Sequence, residues 1–190
     1  MAADYAAARL NMVESQVRTS DVTDVRIQDA MYDLPRETFV TGSKAYLAYA
    51  DAEVEYAGGR FLLKPRDVAK LLQGLKPQAG ERALAIAAPY AAAVLEILGL
   101  EVDRLDGDDL TATPGGTYDL IVCEGAVAKA PAAWTQALAL GGRLGVVERD
   151  GPVGKATIYA NAADGIGHRQ IFDATPPILA GFEAQHGFAF

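Results

Sequence analysis
The chain has 190 residues, 25 of them acidic and 17 basic, for a net charge of −8; it is 51% hydrophobic and 22% charged. That describes one folded domain with a sizeable core and excludes a disordered chain. The acidic balance argues against nucleic acid and anionic membrane as partners, and the single cysteine, Cys123, excludes a disulfide framework or a Cys-rich zinc site.

Residues 4–18 carry Leu10, Val13 and Val17 at helical spacing. Thr19-Ser20-Asp21 offers caps. A second helix is predicted over 22–34, stopped by Pro35 because the residue before proline avoids the helical region. Three tyrosines, Tyr46, Tyr49 and Tyr56, then mark an irregular stretch. We read 1–57 as a helical extension, covering either the core or a substrate or dimer surface, and 58–190 as an α/β domain, the whole forming one compact unit. No run reaches the ~18 apolar residues of a membrane span, and Asp4, Arg9 and Glu14 break up any signal-peptide pattern. A cytoplasmic protein is the expectation.

Gly58-Gly59 is a turn, Arg60–Lys64 a short extended piece, and Asp67–Leu75 a helix with Val68, Leu71, Leu72 and Leu75 on one face. After the loop 76–80 comes a buried strand, Ala83–Ala88, that runs through Pro89 into a helix, Tyr90–Leu98. A strand feeding a helix in this way is where α/β proteins hold nucleotide-like cofactors, usually on a glycine turn. Here the turn is Ala87-Ala88-Pro89, without glycine. A strand follows at Glu101–Leu105, then an acidic cluster, Asp106, Asp108 and Asp109. Asp106 lies about 20 residues beyond Ala87, the spacing of a ribose-binding acid. The connection Gly107–Thr117 is short and loop-like, so a strand–helix unit is expected to be shortened or missing and the sheet to have fewer strands.

The next strand is Tyr118–Cys123, and Glu124 at its carboxyl end is placed for a ligand crevice. Cys123 is read as a packing residue. A helix Pro131–Leu140, with Trp134, is closed by Gly141-Gly142. Strands at Arg143–Glu148, Ala156–Ala160 and Arg169–Phe172 complete the chain, with Phe182, Phe188 and Phe190 packed in the core. The pattern is α/β with a mostly parallel sheet. His168 and His186 pair with no nucleophile, and no Ser-His-Asp, metal or phosphate-loop arrangement is present, so no catalytic or metal residue is assigned.

The run MVESQVRTSDVTDVRIQDAMYDLPRETFV, with Met12, Gln16, Asp24, Arg26, Ala30, Met31, Pro35, Arg36, Glu37, Phe39 and Val40, resembles the protein-L-isoaspartate O-methyltransferase family. Ala45-Tyr46, Pro65, YDLIVCEGAVAKAP at 118–131 and GGRL at 141–144 continue the likeness. The resemblance implies a Rossmann-like S-adenosylmethionine methyltransferase fold and methyl transfer to an isoaspartyl carboxylate. Two of the family's signatures are altered. Its acid-x-Gly-x-Gly-x-Gly turn is replaced by Ala85 and Ala87-Ala88-Pro89. Its substrate segment, Gly-Gln-Thr-Ile-Ser-x-Pro, reads Gly59-Arg60-Phe61-Leu62-Leu63-Lys64-Pro65, with Leu63 for the serine and Phe61 for the threonine. The expectation is a non-catalytic binding or structural relative, with a homodimer or a protein as partner and no cofactor. Ala87, Tyr90, Asp106 and Glu124 are the remnants of its cofactor site, with either Asp106 or Asp108 as the family acid. The alternative is a working S-adenosylmethionine enzyme with an unusual loop and another acceptor. A third reading is a different small ligand in the cleft near Tyr90, Asp106 and Glu124.

Overall fold
The computed structural model describes residues 4–184. Helix α1, Tyr5–Met12, runs on through a π-helical turn at Val13–Val17 and a 3₁₀ turn at Arg18–Ser20, and α2 spans Val25–Asp33. Asp4 and Asp24 cap the two helices by accepting from Ala7 N–H and Arg26 N–H. Short 3₁₀ turns then lead to a hairpin, β1 (Val54–Ala57) and β2 (Arg60–Leu62). The boundary read at 57/58 falls inside this hairpin. The core also crosses it: Met12, Val17, Ile27 and Met31 pack in one cluster with Leu71, Leu75, Val94 and Leu120.

The remainder is α3 (Pro65–Leu75), β3 (Arg82–Ile86), α4 (Pro89–Ile97), β4 (Glu101–Leu105), β5 (Tyr118–Val127), α5 (Ala132–Gln136), β6 (Leu138–Glu148), β7 (Gly154–Ala162) and β8 (Gly165–Ala174). Both α3 and α4 place proline in their first turn, where no amide hydrogen is needed. The six strands lie in the order β4-β3-β5-β6-β7-β8. The first four are mutually parallel, and the last two pairings, β6–β7 and β7–β8, are antiparallel. The mostly parallel, shortened α/β sheet expected from the sequence is what forms. Residues 106–117 cross from β4 to β5 without a regular helix or strand of their own.

Alternation along the central strands separates two cores. Ala83, Ala85, Leu120 and Val122 face α3, α4 and the N-terminal helices, whereas Leu84, Ile86, Ile121 and Cys123 face Leu110, Trp134 and Phe182. Phe182 is buried as expected; Phe188, Phe190 and His186 lie outside the described residues. Among the described residues no helix is long and apolar enough to cross a membrane.

Two expectations need correction. The strand expected to stop at Cys123 continues to Val127. The helix expected over Pro131–Leu140 ends at Gln136, and Leu138 already begins β6. Gly141-Gly142 therefore lies within a strand. Leu138 pairs with Tyr118 and Arg143 with Leu120, so the intervening residues bulge out of the ladder. A Cβ on Gly142 would come within 2.8 Å of both Ala139 O and Tyr118 O. Gly142→Ala is therefore expected to cost about 1–3 kcal/mol, a fall of roughly 2–10 °C in melting temperature. Thermal unfolding of this variant tests the close backbone approach at Gly142; an unchanged melting temperature would refute it.

Candidate functional site
In sequence β3 leads to β4, yet in the sheet β3 lies between β4 and β5. The chain reverses its direction of strand addition here, and the carboxyl ends of β3 and β5 form the crevice in which open α/β sheets take ligands. The four candidate site residues, Ala87, Tyr90, Asp106 and Glu124, all lie at this end.

Ala87 follows β3 with φ +45°, and it is fully buried. The turn keeps a left-handed backbone although it carries a methyl group, which costs about 1–2 kcal/mol relative to an ordinary conformation. Its amide donates to Leu105 O at 2.9 Å, tying it to the end of β4.

Glu124 does not line an open crevice. It lies inside β5 and is fully buried. The cause is a break in pairing between Val122 and Ala126, where three residues oppose Val146 alone. Gly125 adopts φ +141°, and any Cβ there would lie 2.8 Å from Leu179. The break turns the Glu124 carboxylate onto the N-terminus of α4. It accepts from Ala91 N–H at 2.7 Å and from Leu63 N–H at 3.0 Å. Burial raises its pKa, opposed by the Arg36 charge and by the two amides.

Arg36 is the counter-charge, and the sequence reading gave it no role in the site. It too is fully buried. Its Nε donates to Ala48 O at 2.8 Å and its Nη2 to Leu63 O at 2.5 Å. The guanidinium lies 4.4 Å from the Tyr90 ring centroid, a cation–π arrangement. Leu63 is thus held at both ends of its backbone, its N–H by the carboxylate and its C=O by the guanidinium. Tyr90 is fully buried and its ring meets Phe39 edge-on at 5.5 Å. The Tyr90 hydroxyl and Arg36 Nη1 have no hydrogen-bond partner among the described residues.

Asp106 lies just past β4 and is partly exposed. Its Oδ1 accepts from Tyr56 Oη at 3.0 Å and from Arg60 Nη1 at 2.8 Å, both supplied by the hairpin. Arg60 also reaches Asp106 O at 2.6 Å and Gly107 O. Burial pushes the Tyr56 hydroxyl up, and the Asp106 charge adds to this. Asp108 instead lines a cavity of about 240 Å³ with Gly58, Gly59, Arg60, Leu110 and Leu179. The thiol of Cys123 is buried and pushed up by burial, so it is an unreactive packing group. His168 is exposed on β8, remote from this end.

A family model for protein-L-isoaspartate (D-aspartate) O-methyltransferase (PCMT) matches residues 8–103. A protein-L-isoaspartate O-methyltransferase of Methylorubrum populi is 31% identical over 179 residues, 80% of this chain and 84% of that protein. The chain belongs to the protein-L-isoaspartate O-methyltransferase family. A Methylorubrum extorquens member is 38% identical over 105 residues, 54% of this chain and under half, 46%, of its own length. A solved protein-L-isoaspartate O-methyltransferase superposes with a TM-score of 0.74 at 19% identity, over 92% of this chain and 67% of that one. A Plasmodium falciparum structure described as a PCMT, in complex with S-adenosyl-L-homocysteine, also gives 0.74, at 15% identity over 90% and 97%. At these identities the likeness shows the fold.

The expectation that the chain takes no cofactor is overturned by these findings. It is a member of an O-methyltransferase family, and a relative with the same fold is in complex with S-adenosyl-L-homocysteine. The nucleoside end of such a group fits the residues present. Asp106 is an acid at the spacing used for a ribose diol, and Leu110 and Leu179 wall the neighbouring cavity. The Ala87–Pro89 turn contributes less, because Pro89 has no amide hydrogen and Ala91 N–H is already bonded to Glu124.

The clamp on Leu63 yields a prediction. In Glu124→Gln one of the two backbone amides must face an NH₂ group or lose its acceptor. The expected loss is about 1–3 kcal/mol, seen as a lower denaturant midpoint with an unchanged slope. An unaltered midpoint would show that the carboxylate does not hold these amides.

Proposed function
We propose that this chain binds an S-adenosyl cofactor over the carboxyl ends of β3, β4 and β5 and does not methylate isoaspartyl carboxylates. On this reading it is a binding or structural member of its family, acting in the cytoplasm on a second protein or a second copy of itself. The observation that carries the proposal is the state of Leu63. Its side chain is fully buried, its N–H is held by Glu124 and its C=O by Arg36. The segment that resembles the family's acceptor-binding loop therefore offers no hydroxyl and no free amide at this position. An acceptor carboxylate finds a leucine packed in the core.

Asp106 would hold the ribose hydroxyls of the cofactor, and the cavity walled by Leu110 and Leu179 would take an apolar part of the nucleoside. When bound, the group supplies a methyl on a sulfonium centre. Glu124, with its carboxylate committed to two amides, orients Leu63 and the α4 N-terminus. It is not placed as an acid or base toward that methyl.

Titration calorimetry with S-adenosylhomocysteine, beside methyl transfer from labelled S-adenosylmethionine to an isoaspartyl peptide, tests both halves. A saturable isotherm without methyl ester formation is expected. Turnover that rises in proportion to protein concentration overturns the non-catalytic half, and a flat isotherm overturns the binding half. Leu63→Ser is expected to cost about 2–5 kcal/mol of stability without gaining turnover, because the hydroxyl would point into the core.

A further inference from the structure
The hairpin β1–β2 is short, with a two-glycine turn at Gly58-Gly59. Two-stranded ribbons of this size are marginal by themselves, so contacts made by the side chains decide where it rests. On one side the turn is braced by Glu55, which accepts from Gly59 N–H at 3.1 Å and pairs with Lys44. On the other side Tyr56 and Arg60 reach across to the end of β4. Arg60 donates to Asp106 Oδ1, Asp106 O and Gly107 O, and Tyr56 donates to the same Oδ1. The Arg60 side chain is 18% exposed against 36% for Asp106, so the guanidinium is the more deeply set partner.

A guanidinium and a hydroxyl converging on one carboxylate oxygen satisfy it much as the two hydroxyls of a ribose would. The segment resembles a family motif that carries glutamine where this chain has Arg60, and a glutamine brings no cation to that acid. We propose that Arg60 is a specificity-determining residue that acts as an internal competitor for Asp106. A nucleoside ligand gains the acid only when the Arg60 guanidinium leaves it, and the β1–β2 hairpin then swings off the end of β4. The proposal rests on the cofactor reading above, since it concerns how that ligand gains Asp106. The same hairpin forms one wall of the cavity that holds Asp108, Leu110 and Leu179, so its movement opens that cavity as it frees the acid.

The test is S-adenosylhomocysteine affinity by calorimetry for the wild type, Arg60→Gln, Arg60→Lys and Tyr56→Phe, with melting curves as a check on folding. Arg60→Gln is expected to bind at least tenfold more tightly than the wild type and Tyr56→Phe a few-fold more tightly. Arg60→Lys is expected to stay near the wild type, because an ammonium still pairs with Asp106. In an Asp106→Asn background the gain from Arg60→Gln should vanish. Amide exchange at residues 54–62 gives a readout without ligand: protection should fall in Arg60→Gln and not in Arg60→Lys. Equal affinities, or weaker binding by Arg60→Gln, overturn the gate while leaving the cofactor reading intact. Binding by none of the variants overturns the cofactor reading, and the gate falls with it.

Discussion
The carboxyl end of the sheet depends on the backbone of one residue, Leu63, whose two flanking peptide groups are set between two buried charges. Glu124 and Arg36 are both fully buried, and no direct ion pair is formed between them. The Leu63 backbone stands in that gap, its N–H on the carboxylate and its C=O on the guanidinium. A buried charge left alone would be far more costly than any single contact here is stabilising. Removing one of the pair therefore leaves the other uncompensated. The bridge ties together four parts of the chain that are distant in sequence. These are the 36–48 segment through Ala48 O, the link from β2 to α3 through Leu63, the α4 N-terminus through Ala91, and the break in β5 that aims Glu124.

The chain thus keeps the shape of a cofactor crevice while its own groups use much of the bonding capacity there. An α-helix N-terminus attracts anions through its free amides. At α4 one of those amides is already served by a carboxylate from the protein itself. Ala87 retains the left-handed turn without glycine because its amide is fixed to Leu105 O and its surroundings are closely packed. Stability from the core sustains that conformation, in the way strained residues persist at functional sites.

Much of the architecture was legible because it is written in local periodicity. The apolar runs of β3 and β5, the apolar faces of α2 and α3 and the alternation of strand with helix marked most elements and the mostly parallel sheet. The loop-like composition of 107–117 signalled the shortened sheet. The errors fell where tertiary structure overrides local pattern. Residues 137–142 look like the end of a helix because a glycine pair follows an apolar run, yet Leu138 pairs with Tyr118. Glu124 looks like the residue after a strand, but pairing on the far side carries β5 to Val127. Arg36 and Arg60 gave no signal by spacing, since their partners lie 27 and 46 residues away. The available hints were a charged residue directly after Pro35 and an arginine where the resembled motif has glutamine. The absence of a cofactor was inferred from the turn alone. Weighing the family and fold of the whole chain reverses that inference.

The two outer strands bear on how the domain meets other molecules. An open strand edge is a template for adding a further strand, from a copy of the same chain or from an aggregating one. At one margin β4 presents ionic side chains, with Asp103 paired to Arg82 and Arg104 to Glu96. At the other, the ladder between β7 and β8 skips Ile171, since Ala156 faces Phe172 and Thr157 faces Gln170. That extra residue kinks the last strand midway, so its outward row of amides and carbonyls is not in step along its length. Neither margin is a straight, uncharged ribbon. Both features discourage the addition of a seventh strand at either rim.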